Sequence, residues 1–104
     1  MRGGADVTPI AAVESVSGVS LEQNIPNPFH QTTTINYTLP ETFSSAKIVI
    51  VDNTGRVLQQ HPLYHPGKES LDIETSKLMG VGVYFYSLYV DDKLADTKKM
   101  IKSK

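Results

Sequence analysis

Two of the three histidines lie close enough in sequence to suggest a shared metal ion. His61 and His65 are four positions apart, a spacing that places two imidazoles on one face of a helix. Prolines at positions 62 and 66 exclude that helix, because proline lacks the backbone N–H and clashes with the preceding turn. His30 is distant in sequence. We therefore expect loop histidines in contact with solvent and no metal site.

The acidic residues offer two further arrangements for chemistry. Asp91 and Asp92 are adjacent, so their side chains point to opposite faces of a strand, or to solvent in a turn, and do not converge on one bond. The segment Asp52-Asn53-Thr54-Gly55 begins like a calcium loop but lacks the alternating acidic positions and the distal glutamate. We expect neither a catalytic carboxylate pair nor a calcium site.

Nucleophilic catalysis and cofactor binding have no motif in this sequence. The 104 residues include no cysteine, which excludes disulfides, thiol catalysis and thiolate metal sites. There is no G-x-S-x-G elbow, and no glycine-rich loop precedes a helix that would receive a phosphate. A net charge of -1 favours neither nucleic acid nor an anionic membrane surface as a partner. We predict that the chain is not an enzyme, holds no cofactor and does not insert in a membrane.

The tyrosines support a different hypothesis, a carbohydrate- or peptide-binding module of a secreted enzyme. Amphipathic rings are favoured where one side of the ring is wet, and such rings stack on sugars. Packing in the core or at its rim explains the same residues equally well, so both interpretations stay open for Tyr37, Tyr64, Tyr84, Tyr86 and Tyr89.

The elements that would position these residues are all strands. Gly82 to Val90 is apolar on both faces, as is the centre of Ala46 to Asp52, so we expect both strands inside a sheet. Turn residues separate them from partner strands at Asp52 to Gly55 and at Val90 to Lys93. Six or seven strands at roughly ten-residue spacing predict an all-β antiparallel sandwich. The remaining predicted strands are Thr33 to Leu39, Arg56 to Gln60, Glu69 to Ile73 and Leu94 to Ile101.

The ends of the chain differ in composition from its middle. Residues 1–20 are small and polar, and we expect a flexible linker or leader from a parent protein, with the domain at 21–104. At the other end, Lys93, Lys98, Lys99, Lys102 and Lys104 make the last strand basic. Lysines on an edge strand deter edge-to-edge pairing, so edge protection is one explanation and partner recognition another.

The motif Pro26-Asn27-Pro28-Phe29 is rigid, because two prolines fix φ and remove two backbone donors. It therefore does not belong in a central strand. We expect an extended bend that presents Phe29 in a set direction, where its ring closes the end of a core.

Residues Leu21 to Lys104 resemble the C-terminal sorting domain of the type IX secretion system, type A. Four motifs in the same order carry the resemblance: LEQNIPNPFHQTTTINYTLPE, VDNTGRVL, LDIETSKLMGVGVYFYSLYVDDK and TKKMIKSK. The sequence departs from the family pattern at Ile25, where an aromatic residue is common, and at His30-Gln31, where Asn-Pro is common.

The resemblance implies a seven-stranded immunoglobulin-like sandwich that serves as the export signal of a larger cargo protein. The cargo would pass through the periplasm, cross the outer membrane by the type IX translocon and reach the cell surface or medium, and a sortase-like protease would remove the domain. Residues 1–20 carry no export signal of their own, so this chain would be part of a longer protein and Met1 would not be its natural start. By match to the family motifs, recognition would fall to Gly82, Tyr84, Lys98, Lys99, Met100 and Lys102, and the fold would depend on Pro26, Asn27, Pro28, Phe29, Asp52, Gly55 and Arg56.

Overall fold

The computed structural model describes residues 18–74, 78 and 80–104. Within them the chain forms seven β-strands and no helix, and thus no helix that could cross a membrane. In chain order the strands are β1 Ser20–Leu21, β2 Thr32–Leu39, β3 Ala46–Asp52, β4 Val57–Pro62, β5 Gly67–Glu74, β6 Gly82–Val90 and β7 Lys93–Lys102.

The strands form two antiparallel sheets. One has the order β1-β2-β5, and the other has the order β4-β3-β6-β7. Strand β6 lies between β3 and β7, and β3 lies between β4 and β6, so both predicted central strands are confirmed. The two sheets enclose one core, which confirms the predicted immunoglobulin-like sandwich.

The core is built from the alternate side chains that each strand turns inward. In β6 these are Tyr84, Tyr86, Leu88 and Val90, so the face that the sequence left undecided is now assigned. In β2 they are Ile35, Tyr37 and Leu39, and the opposite face is polar and half-buried. Burial of each aliphatic or aromatic side chain contributes about 1.5–3 kcal/mol relative to exposure.

The hairpin between β6 and β7 is confirmed, and its geometry explains its sequence. Asp91 and Asp92 have φ angles of 52° and 64°, in the left-handed region that aspartate tolerates. The Asp91 carboxylate does not simply face solvent, as expected for a turn, because its Oδ1 accepts the backbone N–H groups of Ser44 and Ser45 at 2.6 and 3.0 Å. Asp91 therefore joins two loops at one end of the sandwich.

The predicted loop at His61 is wrong. His61 and Pro62 belong to β4, and the imidazole Nε2 lies 2.6 Å from Oε1 of Gln59. Pro62 is tolerated because β4 is an edge strand, where a missing backbone donor on the open side breaks no ladder. His65 does lie in the loop that follows.

Several other boundaries differ from the prediction by one or two residues. Ser20 pairs with Thr38, so strand pairing begins one residue before the expected start of the domain at Leu21. Strand β5 begins at Gly67 rather than at Glu69. Residues 1–17, most of the expected linker, and residues 75–77 and 79, between β5 and β6, lie outside the described residues. Leu78 is buried.

Candidate functional site

The segment before β2 runs beside the last strand of the domain. The peptide bonds Ile25–Pro26 and Asn27–Pro28 are cis, and the segment ends at Phe29, whose side chain is fully buried. The predicted bend with a core-closing phenylalanine is therefore confirmed. This places the proline motif at the end of the sandwich where β7 finishes.

Hydrogen bonds attach this segment to the open edge of β7. The N–H of Phe29 donates to the carbonyl of Ile101 at 2.9 Å, and the N–H of Ile101 donates to Oδ1 of Asn27 at 2.9 Å. The N–H of Ser103 then donates to the carbonyl of Phe29 at 2.8 Å. Both backbone groups of Ile101 are thus occupied on the side of β7 that faces away from β6.

The same edge is occupied further along the strand. Nε2 of Gln23 donates to the carbonyl of Lys99 at 2.7 Å, and the N–H of Thr97 donates to the carboxylate of its neighbour Asp96 at 2.8 Å. Strand β7 is an edge strand of its sheet, but contacts from the chain itself occupy the C-terminal half of that edge. An additional strand from a partner would have to displace these contacts to pair there.

A buried polar cluster holds the segment against the core. Tyr86 is fully buried, and its hydroxyl accepts the N–H of Asn24 at 2.8 Å and donates to the carbonyl of Glu22 at 2.7 Å. The side-chain amide of Asn24 donates to Oγ1 of Thr33 at 2.9 Å and to the carbonyl of Pro26 at 3.1 Å. Burial raises the pKa of Tyr86 to about 12.

The residues of this cluster were not predicted. One signal was available for Tyr86, because it alternates with Leu88 and Val90 on the inward face, and a buried tyrosine hydroxyl requires a partner. Nothing in the local sequence indicates that Asn24 contacts the Tyr86 hydroxyl or that Thr33 contacts Asn24. Asn24 and Thr33 are nine residues apart and meet only in the folded chain.

The loop between β3 and β4 is organised by Asp52. Its Oδ1 accepts the Thr54 hydroxyl at 2.6 Å and the N–H groups of Thr54 and Arg56 at 2.9 and 3.0 Å. The Thr54 hydroxyl is the main cause that holds the pKa of Asp52 below its usual range, with smaller contributions from the backbone donors and the Arg56 charge. Gly55 has a φ of 93°, which a residue with a Cβ rarely adopts. These contacts shape the turn, and no group of three or more possible metal ligands occurs in the described part of the chain.

Two residues assigned to recognition lie in the core. Tyr84 and Met100 sit directly opposite each other on β6 and β7, and their side chains are 4% and 0% exposed. A partner cannot touch either side chain while the domain is folded. Gly82 begins β6 with a φ of 131°, where its lack of a Cβ permits the backbone conformation.

The three lysines assigned to recognition do not share one face. Lys99 is exposed and points outward, whereas Lys98 lies on the opposite side of β7, 3.7 Å from the carboxylate of Asp96. The Lys102 ammonium donates to the carbonyl of Leu78 at 2.7 Å. The lysine motif therefore includes one outward charge and two that contact the domain itself.

The five tyrosines do not form one aromatic surface. Tyr37, Tyr84 and Tyr86 are buried, whereas Tyr64 is 74% exposed in the loop after β4. The Tyr89 ring lies on the outer face of the four-stranded sheet, 5.6 Å from the Lys47 ammonium. This distribution gives the carbohydrate- or peptide-binding hypothesis no shared stacking platform.

Comparison with solved structures identifies the same fold elsewhere. The structure superposes on part of a chain in the crystal structure of dimeric latent PorU from Porphyromonas gingivalis with a TM-score of 0.67 and 23% sequence identity. The match covers 92% of this chain and 10% of that chain. No curated protein matches the sequence.

A sequence family described as the secretion system C-terminal sorting domain matches residues 24–103. The match includes the proline motif, the Asp52 turn and the lysine strand, which are the segments that the contacts above bring together or shape. The chain belongs to the family of C-terminal sorting domains of the type IX secretion system.

Proposed function

We propose that this domain directs a larger cargo protein across the outer membrane through the type IX translocon, without any catalytic step of its own. The family match over residues 24–103 carries the proposal. The fold supports it, since the domain is a small sandwich whose sequence motifs form structural contacts rather than a set of convergent reactive groups. The cargo would pass through the periplasm and finish at the cell surface or outside the cell.

Processing after export is part of the proposal. The chain enters the domain at β1, where Ser20 pairs with Thr38 in the three-stranded sheet, whereas the lysine motif lies on β7 of the other sheet. A sortase-like protease would cut the junction with the cargo before β1, while the translocon contacts the exposed Lys99.

The motif residues would contribute to recognition in different ways, according to their positions. Lys99 is the exposed member that a translocon component would contact directly. Tyr84, Met100 and Lys102 would act by keeping β7 in place, because two are core side chains and the third ties the strand to the Leu78 carbonyl. Gly82 would act through its backbone conformation.

The test is a fusion of a signal peptide, a fluorescent reporter and the full 104-residue chain, expressed in a bacterium that has this secretion system. We expect reporter at the surface or in the medium, and reporter that stays in the periplasm would refute the proposal. Deleting residues 93–104 should also stop export, but it removes the buried Met100 and Ala95 as well. Lys99→Glu is therefore the sharper variant, because it changes an exposed charge and leaves the core intact.

A further inference from the structure

The outer face of the four-stranded sheet is apolar toward the end where β6 begins, whereas its middle row includes the polar residues Gln60, Ser87 and Thr97. Direct cross-strand neighbours align Val57, Val51 and Phe85 in one row, and Val83 lies opposite Ile101 in the next. We call this set, with Val49, the outer apolar face. Val57 is 51% exposed and the side chains of Val51, Val83, Phe85 and Ile101 are half-buried, although all lie on the side away from the core.

The other sheet shows that this composition is not a general feature of the sandwich. The outward positions of β2 and β5 are occupied entirely by polar side chains, two pairs of which bond across the strands. Thr34 donates to Asp72 at 2.8 Å, and Ser70 donates to Asn36 at 2.6 Å. An antiparallel sheet with one solvated face normally has this alternation. A contiguous apolar surface on the second sheet therefore indicates a contact that the free domain does not make.

The charged residues at outward strand positions of that face have one sign, and one acidic residue, Asp92 in the turn between β6 and β7, lies at its edge beside Lys47 and Tyr89. Lys47 and Lys99 occupy outward positions on β3 and β7, and no acidic residue occupies an outward position on any of these four strands, all of which the structure describes. The chain as a whole has a net charge of -1, so the face is cationic against a slightly acidic background. Lys99 lies directly opposite Phe85, which places a positive charge at the end of the apolar row formed by Val57, Val51 and Phe85.

We infer that the outer apolar face docks on a protein component of the outer-membrane secretion machinery that presents apolar side chains with carboxylates placed opposite Lys47 and Lys99. This inference rests on the proposed export function and assigns the surface that performs it. Apolar contact supplies the affinity, and the two lysines fix orientation and select against cationic surfaces.

Two other occupants fit the surface less well. A second copy packed face to face would bring the lysines of both copies into one interface, where Asp92 lies beside Lys47 but the outward strand positions carry no acidic group to pair with Lys99, which is unfavourable. The cargo leads into β1, which belongs to the other sheet, so the chain enters on the opposite layer of the sandwich. A protein partner with complementary charge meets neither obstacle.

The test uses the full-chain reporter fusion with paired variants that keep strand-forming residues. The double variant V51T/F85T should melt within a few degrees of the unmodified chain, because neither side chain faces the core. We expect its export to fall at least about tenfold, the effect of losing about 1.4 kcal/mol of binding. The control T38V/K68T changes a cross-strand pair on the polar outer face of the other sheet and should be exported normally.

Charge variants of Lys99 distinguish a loss of docking from a loss of folding. Lys99→Glu should lower export by a similar factor, whereas Lys99→Arg should retain it, since arginine preserves the positive charge. Both variants leave the buried side of β7 unchanged. Export of V51T/F85T or Lys99→Glu at the level of the unmodified fusion would overturn the inference.

Photo-cross-linking identifies the partner without depending on any of those variants. A photoreactive residue at Val57, in an otherwise unmodified chain, should form an adduct with an outer-membrane component of the secretion machinery, and one at Ser70 should not. An adduct only with a second copy of the chain, or only with lipid, would overturn the inference while leaving export by the domain intact. Failure of the unmodified fusion to leave the periplasm would overturn the proposed function and this docking site together.

Discussion

Replacing Tyr86 by phenylalanine tests whether the buried polar cluster holds the proline segment on the sandwich. The ring would remain, so the apolar contribution of the side chain to the core is kept. The hydroxyl's two hydrogen bonds, at 2.8 and 2.7 Å, would be lost. The N–H of Asn24 would then lack a partner in a residue that is 1% exposed, whereas the Glu22 carbonyl is only partly buried and would regain water.

The magnitude follows from those two positions. Leaving a buried donor unsatisfied costs about 1–3 kcal/mol, and a hydrogen bond exchanged for water costs about 1 kcal/mol. The free energy of unfolding should therefore fall by about 2–4 kcal/mol, which lowers Tm by about 10 °C or more in a domain of this size. Urea unfolding with an unchanged m-value would measure it.

The same variant should change the response to alkali. The pKa of Tyr86 is raised to about 12 by burial, so the unfolded chain releases this proton near its ordinary value of about 10 and the folded chain does not. The stabilisation is complete below about pH 10 and is lost as the pH rises through about 12, for a total of about 3 kcal/mol. Tyr86→Phe removes this part of the alkaline destabilisation. The raised pKa values of Tyr37 and Tyr84 leave a smaller dependence in the variant.

The matched control is Tyr89→Phe, which removes a hydroxyl from the outer face of the same strand. We expect its unfolding free energy to stay within about 0.5 kcal/mol of the unmodified chain. Equal stability losses for the two variants, or a loss below about 0.5 kcal/mol for Tyr86→Phe, would refute the role given to the cluster.

Three further predictions concern the turn, the edge and the core. Asp52→Asn should lower Tm near neutral pH and reduce the loss of stability in acid, because the low pKa of Asp52 gives stability above its unfolded pKa of about 4 that is lost as pH falls. Melting curves from neutral to acid pH measure this, and a Tm that depends on pH equally in the variant and the unmodified chain would contradict it. Asn27→Ala should speed hydrogen exchange at the Ile101 amide by about fivefold to tenfold, because its acceptor is removed; unchanged exchange by NMR would mean that the Asn27 contact does not protect the edge. Met100→Ala should lower the free energy of unfolding by about 2–5 kcal/mol in chemical denaturation, since its side chain is fully buried. Lys99→Ala should lower it by under about 0.5 kcal/mol, and similar losses for the two variants would be incompatible with the assigned faces of β7.

Most of the strands were predictable because their signals are local. The alternation from Thr33 to Leu39 and the apolar runs at Ala46 to Asp52 and Gly82 to Val90 indicate strands without reference to the rest of the chain. The prediction failed at His61 and Pro62, where a proline was taken as a strand breaker. Proline breaks a central strand but is compatible with an edge, and whether a strand is an edge is a property of the whole sheet.

The candidate site was less predictable than the fold. The lysine run was visible, but the face to which each lysine points depends on the register between β6 and β7, which includes a bulge at Leu88 and Tyr89. Lys99 lies on the outer face, whereas Lys102 contacts the Leu78 carbonyl. The match to the family motifs identified these residues but did not indicate which of them are exposed to a partner and which hold β7 in place.

The sequence by itself determined the class of fold, the turns and the family, because periodicity, turn chemistry and ordered motifs are written along the chain. Only the tertiary structure decided that the proline segment covers the edge of β7, since Asn27 and Ile101 are 74 residues apart. It also decided that Tyr84 and Met100 are core and that one sheet alone has an apolar outer face. These features depend on which strands become neighbours, and neighbours in a sandwich are chosen by the packing of all the strands together.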